Sequence, residues 1–112
     1  MLSEETNLEI IQFFETISKY YNSKVEITSG ISTQLENISS DSTWTLTEFF
    51  LIKSAYRTEG QKFMFEGKKI YFEISAKHLI DFTHPGRNKF EFVEKLGENV
   101  YRITKLRFHY KY

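Results

Sequence analysis

His78, Asp81 and His84 stand at three-residue spacing, with Lys77 and Arg87 close by. Imidazole and carboxylate groups bind zinc and also work as an acid–base pair, so this trio is the chain's best candidate for chemistry. On a helix the first two share a face, whereas His84 falls at or past the helix end and no metal signature is matched. The plainer expectation is a capped turn with solvated polar groups and no metal. Glu66-Gly67-Lys68 has the Glu-x-Lys spacing with which one large class of nucleases aims two side chains at a metal ion, but the triplet falls in a hairpin turn, which cannot point them together. Glycines 30, 60, 67, 86 and 97 are isolated and no Gly-Lys-Ser/Thr follows, so there is no phosphate loop. No serine occupies a Gly-x-Ser-x-Gly elbow. The lack of cysteine excludes disulfides, thiolate metal sites and cysteine nucleophiles. The reading therefore leans away from an enzyme and includes no cofactor.

The C-terminal segment carries a clearer pattern. At period two, Leu106, Phe108 and Tyr110 point one way while Lys105, Arg107, His109 and Lys111 point the other, and Tyr101 and Ile103 continue that second face upstream. A core face thus backs a basic stripe. Cationic side chains beside tyrosine are the ingredients of single-stranded RNA or DNA recognition. Edge strands carry Lys and Arg for another reason, to block edge-to-edge aggregation. The sequence pI of 6.8 favours the second explanation, since a dedicated nucleic-acid domain is expected above pI ~9. From Val100-Tyr101-Arg102-Ile103-Thr104 to Phe108-His109-Tyr110 the segment resembles the terminal strands of RelE-type ribosome-dependent ribonuclease toxins. That likeness implies Arg107, His109 and Tyr110 as the residues with either a catalytic or a packing role. The chain lacks the paired basic helices and the positive charge of those toxins, so membership is not claimed.

These residues need elements to hold them. Leu8, Ile10, Ile11, Phe13, Phe14, Ile17, Tyr20 and Tyr21 recur at steps of three and four, which predicts an amphipathic helix over 4–21 with Ser3 as its N-cap and Glu4 and Glu5 at the positive end of its dipole. Lys24 to Thr28 alternates as a short strand and breaks at Ser29-Gly30. Seven of the fifteen residues in the connection 29–43 are Ser or Thr, yet Leu35 and Ile38 and the capping box Thr33-Gln34-Leu35-Glu36 allow a helical turn or two. Residues 43–57 carry both helix and strand signals. The β-branched and aromatic content, with Trp44, Leu46, Phe50, Ile52 and Tyr56 on one period-2 face, favours a strand. Beyond that, regular turn signals from Glu59-Gly60 to Gly97-Glu98-Asn99 divide the rest of 43–112 into an antiparallel meander, interrupted by a short helix over Ser75–Phe82 and a loop over Thr83–Asn88. The sum is one α+β domain: an N-terminal amphipathic helix laid on a curved antiparallel sheet of about five or six strands, the general plan of cystatin-like and NTF2-like folds by analogy.

Composition narrows the function classes. No apolar run approaches the ~20 residues of a membrane helix, and the acidic start lacks a basic secretion-signal region, so the expectation is a soluble cytoplasmic protein with no membrane partner. Net charge is zero but divided, with two lysines against eight acids in residues 1–50 and thirteen basic residues against seven acids in 51–112. Aromatics make up 17% of the chain, more than one core of this size obviously needs, and such rings dominate interface hot spots. The expectation that follows is a non-catalytic protein that covers or inhibits a protein partner, as inhibitors, immunity proteins and accessory factors do, through ~800 Å² of surface. Tyr101, Lys105, Arg107, His109 and Lys111 are its candidate contacts, with His78, Asp81, His84 and Arg87 secondary. The alternatives are single-stranded nucleic-acid binding through the same stripe, and a small-molecule pocket between helix and sheet that uses His78 or Asp81.

Overall fold

The computed structural model describes residues 2–34 and 43–110. Helix α1 spans Glu4–Thr16, with the Ser3 hydroxyl accepting from the Thr6 backbone N–H, and continues as a 3-10 turn over Ile17–Tyr20. The expected helix thus tightens at Thr16, whose hydroxyl donates back to the carbonyls of Gln12 and Phe13 at 3.0 and 3.3 Å. Such back-bonding competes with the regular helical ladder. Ile10, Phe13, Ile17 and Tyr20 are buried. Leu8 and Ile11 are exposed, so the apolar seam is narrower than the sequence suggests.

Eight antiparallel strands follow among the described residues: β1 (Lys24–Ser32), β2 (Thr43–Phe50), β3 (Lys53–Arg57), β4 (Lys62–Gly67), β5 (Ile70–Ser75), β6 (Leu79–Gly86), β7 (Lys89–Gly97) and β8 (Val100–His109). They form a five-stranded sheet in the order β2-β1-β8-β7-β6 and a three-stranded sheet in the order β3-β4-β5. The α+β plan of one N-terminal helix on antiparallel sheet is therefore present, with its strands shared between two sheets. Neighbouring residues of α1 grip different sheets. Phe13 packs on Phe90 of β7 with ring centroids 4.4 Å apart, while Phe14 stacks on Phe63 of β4 at 4.0 Å and an interplanar angle of 4°.

Three hairpins share one construction. Gly67 pairs with Ile70, Gly86 with Lys89 and Gly97 with Val100, which leaves two-residue turns whose second residue, Lys69, Asn88 or Asn99, is left-handed. Asparagine tolerates that conformation better than most residues. Several boundaries differ from expectation. β1 runs through Ser29-Gly30 to Ser32, because it is paired on both edges, by β2 and β8. Residues 43–57 form two strands that bend at Leu51-Ile52. Ser75–Phe82 is not a helix: only Ala76–His78 makes a 3-10 turn, and β6 begins at Leu79. The loop over 83–88 shrinks to the turn Arg87-Asn88, since β6 continues to Gly86. The helical turn expected around Leu35 and Ile38 lies outside the described residues.

Candidate functional site

The C-terminal stripe has the predicted register. β8 pairs with β1 so that Leu106 and Phe108 face the core opposite Ile27 and Val25, while Lys105, Arg107 and His109 face outward opposite Thr28, Glu26 and Lys24. Leu106 and Phe108 are buried, and Phe108 stacks on Tyr20 at 4.0 Å. Tyr110 is partly buried and packs edge-on to Tyr20. Tyr101 lies on the outward face as expected; Lys111 lies outside the described residues. Ile103 also faces outward, opposite Gly30, yet is only 2% exposed.

On the same face, one strand further, stands Trp44 of β2. Trp44 pairs with Gly30, and its ring lies across the glycine so closely that a Cβ there would stand 2.6 Å from Trp44 Cε3. Lys105 Nζ sits 4.9 Å from the Trp44 ring centre. The outward cations are therefore engaged by neighbours. His109 Nε2 lies 2.7 Å from Glu26 Oε2, Arg107 Nη1 lies 3.5 Å from the same oxygen, and Lys24 Nζ lies 3.6 Å from Glu48. Glu91 pairs with Lys105 in the β7–β8 register. The ligand atoms of Glu26, Glu48 and His109 fall within 4.8 Å of one another, but both carboxylates already have cationic partners. The acidic N-terminal half supplies β1 and β2 beside the basic β8, so opposite charges alternate across one sheet face instead of standing on separate faces.

A second feature of this face was not singled out by charge. Trp44, Leu46, Glu48 and Phe50 project outward from β2, the strand at the sheet edge, and no strand pairs with its other edge among the described residues. Leu46 is 60% exposed, Phe50 62%, and Ile52 in the following bend 51%. The period-2 face that marks this segment as a strand is in this part a solvent face. Most other aromatics are absorbed by the interior: Phe13, Phe65, Phe82, Phe90, Phe92 and Phe108 all belong to one buried cluster. The supposed aromatic excess is mainly core.

His78, Asp81 and His84 do not converge. With Ser75–Phe82 largely extended, the shared helical face disappears. His78 Nδ1 lies 2.7 Å from Ser75 Oγ in a shallow concavity beside Leu2 and Lys77. Asp81 accepts from the backbone N–H of Phe82. His84 stacks on Phe90 at 4.4 Å, and with Arg87 it lines a different cleft of about 470 Å³ between α1 and the end of the β6–β7 hairpin. A cavity between helix and sheet is thus present, without His78 or Asp81. Tyr20 forms part of its wall, donating to Asn88 Oδ1 at 3.0 Å, while Asn88 Nδ2 donates to the Tyr110 carbonyl at 2.6 Å. Burial pushes the Tyr20 hydroxyl pKa up, Tyr110 adds to the rise, and Arg87 offsets part of it.

The sequence reading also passed over Glu94 and Arg102. Both point into the interior, where the fully buried Glu94 carboxylate receives the Arg102 guanidinium at 2.7 and 3.0 Å and the Ser75 backbone N–H at 2.9 Å. A cation one residue from the β8 stripe looks solvent-facing by type; its even-numbered position, on the parity of Leu106 and Phe108, is the signal that reveals it. No family model, curated protein or solved structure matches the chain. Geometry alone carries the functional argument.

Proposed function

We propose that this is a non-catalytic binding protein that covers a protein partner with the outward face of β2, in the manner of small inhibitors, immunity proteins and accessory factors. The observation that carries it is the row Leu46, Phe50 and Ile52, each more than half exposed on or beside an edge strand. Edge strands are normally blunted by charge, and Glu48 is the sole charged group in the outward row of β2. Exposed apolar side chains interspersed and flanked with charge are what interfaces use. The rim here is the Lys24–Glu48 and Arg107–Glu26 lattice, suited to orienting a partner more than to holding it.

The test is a pull-down from nuclease-treated lysate with the wild type and with a Leu46→Ser/Phe50→Ser variant whose unfolding curve matches wild type. A stoichiometric protein captured by the wild type and lost by the variant supports the reading. A partner retained by the variant, or recovery of nucleic acid alone, overturns it. Nucleic-acid binding finds less support, because the outward cations of β8 are engaged by Glu26 and by Trp44, and freeing them costs part of the phosphate attraction. Fluorescence anisotropy at low salt, where counterion release favours binding most, measures that alternative directly.

A further inference from the structure

The cleft between α1 and the β6–β7 hairpin lies away from the β2 face, and its chemistry is graded from floor to rim. Phe13, Phe82 and Phe90 make a largely buried aromatic floor, with the Phe82 and Phe90 rings 6.2 Å apart and 15° from parallel and the His84 ring stacked on Phe90 at 4.4 Å. The polar groups nearest that floor are already satisfied. The Tyr20 hydroxyl is donated to Asn88, and the Asn88 amide is donated to Tyr110. Nothing at depth asks a ligand for a hydrogen bond, so the deep part of an occupant is apolar and flat.

The rim has the opposite character. Lys19, His84 and Arg87 line it against one carboxylate, Glu9. Arg87 is exposed and makes no ion pair among the described residues; Lys19 has the Tyr20 ring as its neighbour, at 5.0 Å. This differs from the β8 stripe, where the described cations Lys105, Arg107 and His109 each have a partner already. A guanidinium at the mouth of an aromatic-lined cleft can take a carboxylate bidentately. We infer that this cleft is a binding site for a small planar aromatic acid, its ring against the exposed His84 imidazole that stacks on Phe90 and its carboxylate at Arg87. At about 470 Å³ the space suits a one- or two-ring molecule.

The experiment is an amide NMR titration of the whole protein with 1-naphthoate and with its neutral isostere 1-naphthamide. Naphthoate should shift the amides of Lys19, His84, Arg87 and Asn88 saturably by about 1 mM, a modest affinity appropriate to a ligand of that size, and naphthamide should bind about tenfold more weakly. Arg87→Gln, at an exposed turn and so expected to keep a wild-type spectrum, should bring naphthoate down to the naphthamide level and leave naphthamide unchanged. Arg107→Gln, on the outer sheet face, should change neither. The inference is overturned by any one of these results: no saturable shift at those amides, equal affinity for acid and amide, or naphthoate binding that ignores Arg87→Gln or is lost with Arg107→Gln. Because the β2 face takes no part in it, the pull-down outcome and this one stand apart.

Discussion

Glu94 and Arg102 form a buried ion pair that ties the two sheets together: the carboxylate of Glu94 on β7 receives both the guanidinium of Arg102 on β8 and the backbone N–H of Ser75 on β5, while Arg102 also donates to the Glu73 carbonyl at 2.7 Å. Glu94 is fully buried, whereas the Arg102 side chain keeps 25% of its exposure. Breaking such a pair from one side strands the other charge, which costs about 3–5 kcal/mol. The two partners are not equivalent, and this yields the first prediction. Arg102→Leu leaves an uncompensated carboxylate in the interior and should fall in that range. Glu94→Leu leaves a cation that still reaches the Glu73 carbonyl and water, and should cost less. The double variant should be more stable than Arg102→Leu alone. Urea unfolding midpoints at unchanged m-value rank the three, and the reverse order of the single variants would remove the account.

Gly30 and Trp44 supply a second prediction. Gly30→Ala forces a methyl group into the Trp44 ring at 2.6 Å, which should cost about 1–3 kcal/mol as an overpacking change. Trp44 is the chain's one tryptophan, so displacement of its ring should also alter the intrinsic fluorescence. If the clash is the cause, adding Trp44→Ala should make the Gly30→Ala step nearly free; a cost that persists would point to the backbone instead.

The two faces of β8 should respond differently to truncation. Phe108→Ala removes a fully buried ring that stacks on Tyr20 and should cost ~3–5 kcal/mol. Lys105→Ala with Arg107→Ala removes side chains whose contacts are a tryptophan face and a 3.5 Å surface ion pair, and should stay within about 1 kcal/mol of wild type. Thermal melts of both variants decide it.

Tyr20 gives a pH prediction. Its native pKa is raised, mainly by burial, so the folded protein holds the phenolic proton to a higher pH than the unfolded chain does. Below pH ~10 both states are protonated and the group contributes no pH dependence; above it, unfolding releases a proton, so stability falls as pH rises. Tyr71 acts in the same direction, through its hydrogen bond to Glu73. Tyr20→Phe should therefore flatten part of the alkaline decline while losing about 1 kcal/mol at neutral pH with the Asn88 hydrogen bond. Tyr71→Phe serves as the comparison, and an alkaline limb identical in wild type and both variants would contradict the assignment.

What the sequence by itself determined is what short-range periodicity encodes. The capped helix from Glu4, the inward face of Leu106 and Phe108, the outward Lys105, Arg107 and His109, and the Gly67, Gly86 and Gly97 hairpins all follow from alternation, caps and turn residues within a few positions of one another. Tertiary structure decided the rest, for reasons no local pattern contains. An alternating strand specifies that its two faces differ but not which is buried, so nothing local in the row Trp44, Leu46 and Phe50 reveals that β2 turns it away from the core. Ser75–Phe82 has helical spacing, yet its polar side chains are arranged by pairing of β6 with β7, which separates His78, Asp81 and His84. The cleft at Arg87 and the pair Glu94–Arg102 join segments far apart in the chain. Their geometry exists only once α1 and the two sheets close on a common core, because long-range packing sets which polar group meets which.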